Sequence, residues 1–232
     1  VARSAFPALL SLLLLCSAGP LAAQQAEQFL PATTKGFVSA PNLEELRTKF
    51  NASQLGQLVN DPALAPFIDD LKEQLREKLG STGMKLGVTQ EDVRGICTGE
   101  LALAAIQPDP KDKMSNALVM LASVKDRQTE LAALLAKIAK NQAAAGATRS
   151  VKKLGAIELV TFTMPIAKGR TFAEKVSYFV SGDQLVVTDH ERVAEEVLHR
   201  FGGAGKESSL AALPAFRAVM DRNSADAKDL KP

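Results

Sequence analysis

The chain of 232 residues carries 28 Lys and Arg against 26 Asp and Glu, with 46% hydrophobic residues and only two cysteines. Nearly balanced charge, with no Lys/Arg run longer than two residues, argues against nucleic acid as a partner, because such binders carry a basic stripe. The length is enough to fold on a hydrophobic core, as one domain or two intimate ones.

Arg3 is the only charge before Glu27, and Ala8 to Ala18 is almost wholly apolar. Small residues follow at Ala18, Gly19, Ala22 and Ala23. A basic start, a short apolar core and a small-residue exit make up a secretory signal peptide. The expectation is a signal at 1–23, cleaved after Ala23, and a periplasmic or extracellular product. The apolar run is shorter than the roughly 20 residues a bilayer span needs, and no later segment is long and apolar enough to cross a membrane. A lipid on Cys16 is disfavoured, because Leu15 is too bulky for the position ahead of such a cysteine. Loss of the signal leaves Cys97 alone, so no intramolecular disulfide is available and the core must hold the fold.

After a polar leader at 24–33, Gly36 to Ser39 reads as a short strand ended by Pro41. Asn42, with Glu45 three residues on, has capping-box spacing for a helix striped by Leu43, Leu46 and Phe50. A second helix begins near Asp61-Pro62, where proline suits the first position, and keeps helical spacing through Leu64, Phe67, Ile68, Leu71, Leu75 and Leu79. Gly80 to Gly87 is a loop, and Thr89 with Asp92 signals a short helix over 90–95. Strands follow at Leu101–Ile106 and Ala117–Val124, separated by the polar turn 107–116. Asp126 then leads into a long helix with Leu131, Leu134, Leu135 and Ile138 on one side, ended by Gly146. Two strands at Arg149–Leu154 and Ile157–Met164 pair through Gly155.

The stretch Thr171 to Phe201 reads as strand, tight turn, strand, helix. Val176, Tyr178 and Val180 alternate with Ser177, Phe179 and Ser181, and Gly182-Asp183 supplies a two-residue turn. Asp189 can cap a helix with Val193, Val197, Leu198 and Phe201 on one face. A Gly-rich loop at 202–205 leads to helical turns near Leu210 and from Pro214 to Met220. Three times a strand runs into a capping residue and a helix. A weak duplication of a β-β-α unit and the ordinary grammar of helix starts both account for that; the second needs no further assumption. Short hairpins between neighbouring strands argue for the α+β class: antiparallel sheet, five or six strands, helices packed on one face. The expected α+β domain covers 34–222, with a polar tail at 223–232.

Residues that could carry chemistry have simpler readings. His190 and His199 fall on different faces of one helix with no cysteine or carboxylate at ligand spacing. Gly202 to Lys206 resembles a phosphate loop only superficially: Arg200 stands where glycine is required, Glu207 where Ser or Thr is, and the stretch follows a helix. Cys97 has no histidine nearby in sequence to activate it and reads as a small buried residue. Glu44/Glu45, Asp69/Asp70 and Glu195/Glu196 lie beside Lys or Arg on helices, the pattern of solvated faces. Lys111, Lys113, Lys168 and Arg170 gather at one end of the sheet, as an anion site or as solubilising charge. Asn51-Ala52-Ser53 matches a glycosylation acceptor. No residue is assigned a catalytic, cofactor-binding or metal role.

The phrases LPATTKGFVSAPNLEEL, DPALAPFIDDLKEQL and SLAALPAFRAVMDR together resemble a family of large exported bacterial proteins of unknown function, in which a strand-and-helix segment follows a signal peptide. The resemblance implies an N-terminal portion or a shortened member, and carries no activity with it. The function expected is an exported, non-enzymatic cell-envelope interaction or binding module, its partner an envelope protein or a small ligand. Two alternatives stay open: an exported hydrolase with a site assembled from scattered residues, and a lipid or small-ligand carrier. A pocket joining His190 or His199 to a carboxylate and a hydroxyl would mark the hydrolase; a surface lined by Leu and Phe would mark the interaction module.

Overall fold

The computed structural model describes residues 26–81, 92, 95–169 and 171–229. The expected signal peptide, most of the loop at 80–87, most of the helix at 90–95, and Arg170 lie outside the described residues. Seven strands, β1 (Thr34–Ala40), β2 (Leu101–Ile106), β3 (Ala117–Ser123), β4 (Thr148–Leu154), β5 (Ile157–Thr163), β6 (Lys175–Ser181) and β7 (Gln184–Thr188), form one antiparallel sheet. Their order across it is β1-β2-β3-β7-β6-β5-β4. Among the described residues, six helices of six or more residues complete the α+β fold: α1 (Leu43–Ala52), α2 (Gln54–Val59), α3 (Ala65–Ser81), α4 (Gln128–Ala144), α5 (Glu191–Phe201) and α6 (Pro214–Asp229). The tight turns are where the sequence places them. Gly155 and Gly182 have φ of 64° and 56°, a region glycine enters without a side-chain clash.

Helices α5 and α4 cover opposite faces of the sheet instead of sharing one. Val193, Ala194, Val197 and Leu198 of α5 pack with Leu159, Phe179 and Val186. Leu131, Leu134 and Ile138 of α4 pack with Val160, Phe162, Val176, Tyr178, Leu185 and Val187. Side chains alternate along a strand, so Val186 and its neighbours Leu185 and Val187 serve opposite layers. This explains why β7 is buried at all five positions, and why Ser177, on the polar side of the alternation, is buried too. The three large aliphatic residues of α5 contribute about 5–9 kcal/mol of burial before the cost of ordering.

The residues expected as a polar leader are part of the core from Ala26 on. Ala26, Phe29, Leu30 and Pro31 are buried, Phe29 stacks on Phe201 with ring centroids 3.9 Å apart, and Leu210 N–H donates to the Leu30 carbonyl at 2.8 Å. Phe29 and Leu30 are the only large apolar pair in an otherwise polar stretch, and they fill the layer beside α5. At the other end, the expected polar tail at 223–232 is helical as far as Asp229, because Ala225, Ala227 and Lys228 are good helix formers with no breaker among them.

Of the three capping residues expected directly after a strand, only Asn42 caps by its side chain: its Oδ1 accepts from Glu45 N–H at 3.0 Å; Thr89 lies outside the described residues. Asp126 takes a left-handed φ of 60° and α4 starts beyond it, with Arg127 at the cap position and no side-chain bond there. His190, not Asp189, occupies the cap position of α5. The Asp189 carboxylate is drawn off by another donor, accepting from Leu118 N–H at 2.8 Å, and so fastens the start of β3 to the end of β7.

Candidate interaction surface

The two histidines stay apart. His199 is exposed in the last turn of α5, whereas the His190 ring buries Nδ1 without a hydrogen-bond partner. The hydroxyls nearest in register, Thr188 and Ser177, are engaged elsewhere: Thr188 Oγ1 accepts from His190 backbone N–H at 3.2 Å, and Ser177 Oγ lies 2.8 Å from Thr161 Oγ1. The neighbouring Asp189 is committed to Leu118, and burial raises its carboxyl above the ordinary aspartate value. Thr161, Ser177 and Thr188 stand directly opposite one another on β5, β6 and β7. They form a row of buried hydroxyls across the sheet, which the alternation of Val176, Tyr178 and Val180 with Ser177 does not by itself announce. The signal that could have found it is Phe179, an aromatic residue on the supposed polar side of the alternation.

Cys97 is half-buried, with Sγ 3.8 and 3.7 Å from the Gly99 and Glu100 carbonyls, and burial pushes its thiol up. That disfavours the thiolate a nucleophile requires. Gly202, Gly203 and Gly205 close α5 and turn the chain, as a helix stop does, and Arg200 is buried against Glu196 O and Ser208. The acidic pairs find bases: Glu44 with Arg47, Glu45 with Lys49, Glu196 with Arg192. Glu195 reaches Lys152 at 2.6 Å and Glu191 reaches Lys175 at 2.9 Å, which tie α5 to β4 and β6. Asp70 accepts from Gln74.

Lys111 and Lys113 follow β2, and Lys168 follows β5; the register sets both loops at one end of the sheet, with β7 between them. All three lysines are exposed. In the first loop the Asp109 and Asp112 carboxylates cap Lys111 and Met114 N–H, so acid and base alternate there. Asn51 and Ser53 are exposed at the end of α1. Among the described residues, no group of three or more His, Cys, Asp or Glu could hold a metal ion, and no helix is long and apolar enough to cross a membrane.

What stands out instead is apolar. Helices α1 to α3 leave the end of β1 as an arm, rooted where Leu43 N–H donates to the Gly99 carbonyl at 3.1 Å. Leu46, Phe50, Leu55, Leu58, Phe67 and Leu71 all face solvent along it, Phe67 with 63% of its surface exposed. α1 buries no residue, and α2 buries only Gly56. The corner between them depends on that glycine, since a Cβ there would lie 1.9 Å from the Phe50 carbonyl oxygen. Ser53 secures the corner, accepting from Gly56 N–H at 3.1 Å. Helices of ten and six residues fall below the ~12–15 at which an isolated helix is marginal in water. An arm of this kind is stabilised when its apolar side chains are covered.

Comparison of the chain with family models, with curated proteins and with solved structures finds no match.

Proposed function

We propose that this protein is an exported, non-enzymatic interaction module of the cell envelope, and that the arm α1–α3 is its binding element. The observation that carries the reading is the run of six large apolar side chains turned to water along α1–α3, where α1 and α2 together bury only Gly56. Exposed apolar surface of this kind marks sites of association, and helices presenting Leu and Phe dock into apolar grooves of partner proteins. The signal grammar at 1–23 and the resemblance to large exported proteins support export. The partner is an envelope protein offering an apolar groove.

Native mass spectrometry of the protein purified from its own envelope tests this, with the wild type beside Leu46→Glu/Phe50→Glu. The wild type should carry an added mass of protein size that the variant lacks, and its own mass should begin at Gln24. An added mass of small-molecule size, kept by the variant, would replace this reading with ligand carriage. A bare wild-type chain would refute the arm as a binding element.

A further inference from the structure

A seven-stranded open sheet has two edges, and in this chain they differ chemically. At β4 the edge carries Arg149, Lys152 and Lys153, all exposed. Antiparallel pairing of two β4 strands about Val151 would set Arg149 of each copy opposite Lys153 of the other, and like charges directly opposed are destabilising. Basic residues on an edge are a common guard against strand addition. At β1 the only charge is Lys35. Its pairing with β2 is irregular between Thr34 and Gly36 and regular from Gly36 to Ala40. Beyond Ala40 the chain continues along the line of the ladder to the Gly99 carbonyl, so the arm leaves the end of the strand and does not cover its side.

Among the described residues, the face beside this edge is also left partly uncovered. Val38, Leu103, Met120 and Val187 stand in one row across β1, β2, β3 and β7. Val187 lies under α4, but the row emerges from that cover toward the edge: Leu103 is 45% exposed and Val38 72%.

We propose that β1 is a self-pairing edge, through which two copies of this chain join their sheets antiparallel about Val38. In that register Val38 meets Val38 of the second copy, Phe37 meets Ser39, and Gly36 meets Ala40. Lys35 falls opposite Pro41, so no like charges confront each other. The two apolar rows become continuous across the two-fold axis, and β-branched residues directly opposed on one face are a favourable pair. Five ladder residues and one apolar row make a small contact, so association is weak and concentration-dependent. This goes beyond the arm reading and does not rest on it.

Sedimentation velocity over a micromolar concentration series should show a monomer–dimer equilibrium. Val38→Lys, which sets two ammonium groups across the axis, should weaken association at least tenfold with far-UV CD and melting unchanged. In a Cys97→Ser background, mild oxidation should convert Val38→Cys to a covalent dimer and leave Val151→Cys, on the guarded edge, monomeric. A wild type that sediments as a monomer throughout would overturn the proposal. So would a dimer that survives Val38→Lys, one abolished only by Leu46→Glu/Phe50→Glu, or equal cross-linking at positions 38 and 151.

Discussion

Replacing Leu30 by alanine removes a side chain with no exposed surface from a layer shared with Val197, Leu198 and Leu210. The loss has a transfer part and a cavity part, together about 2–5 kcal/mol for a buried leucine. Collapse into the space is resisted, because the adjoining Phe29 ring is held at 7° to Phe201, which in turn meets Phe179 edge-on at 5.7 Å. A value of about 3–4 kcal/mol follows, clear of the lower end of that range. For a chain of this size one kcal/mol shifts the melting temperature by about 2–4 °C, so Leu30→Ala should melt roughly 6–16 °C below the wild type. Urea titration and calorimetry measure both quantities. Leu46→Ala, on the arm and 53% exposed, is the control and should stay within about 0.5 kcal/mol. Equal, small effects of the two substitutions would place residues 26–31 outside the cooperative core and refute the reasoning.

Ser177→Ala alone strands the Thr161 hydroxyl in the core and should cost about 1–3 kcal/mol, whereas Thr161→Val/Ser177→Ala should recover most of it in urea melts; additive losses would contradict the pairing. Burial, with Glu27 nearby, raises the Glu100 carboxyl above its ordinary value of 4.5 against the opposing bond from Ala26 N–H. The native state then binds the Glu100 proton more tightly than the unfolded chain does. The Glu100 contribution to stability should therefore fall as pH rises through the window just above 4.5. In melting temperatures against pH, Glu100→Gln should lack that share of the slope and leave the share from Asp189; an unchanged slope would refute it. Gly56→Ala should open the α1–α2 corner, speeding amide exchange across residues 43–59 while the sheet melts as before; unchanged exchange would show that the corner tolerates a side chain.

Local signals carried much of this fold into view. Gly155 and Gly182-Asp183 located two hairpins, and the Leu131–Ile138 stripe located the buried side of α4, because turn chemistry and helical period act over a few residues. Which layer each helix covers is a long-range matter. Ser177 and Thr161 look like solvent-facing positions until α5 is set over them, and β6 alone does not reveal two covered faces. The capping positions failed for a similar reason: Asp189 has the right chemistry for a cap, but Leu118, distant in sequence, competes for its carboxylate. Phe29 and Leu30 were hidden by their polar neighbours, since composition averages over a window and packing does not. The arm's Leu and Phe spacing was legible as helix; that those side chains face water depends on the whole chain's arrangement.

The strand order has a bearing on how the chain reaches this state. β7 is the last of these seven strands to be synthesised, yet it occupies the middle of their sheet. Until Gln184 to Thr188 exist, β1–β3 and β4–β6 are two separate meanders, and the sides of β3 and β6 that will receive β7 are both open. Insertion of one five-residue strand, itself tethered to β6 by a two-residue turn, joins them in a single step. Pairing of Val119 with Thr188 closes a long loop, and contacts of that kind slow folding. The interval before β7 arrives is when unpaired strand edges are most exposed to other chains, so the risk of misassembly is concentrated in the completion of one hairpin.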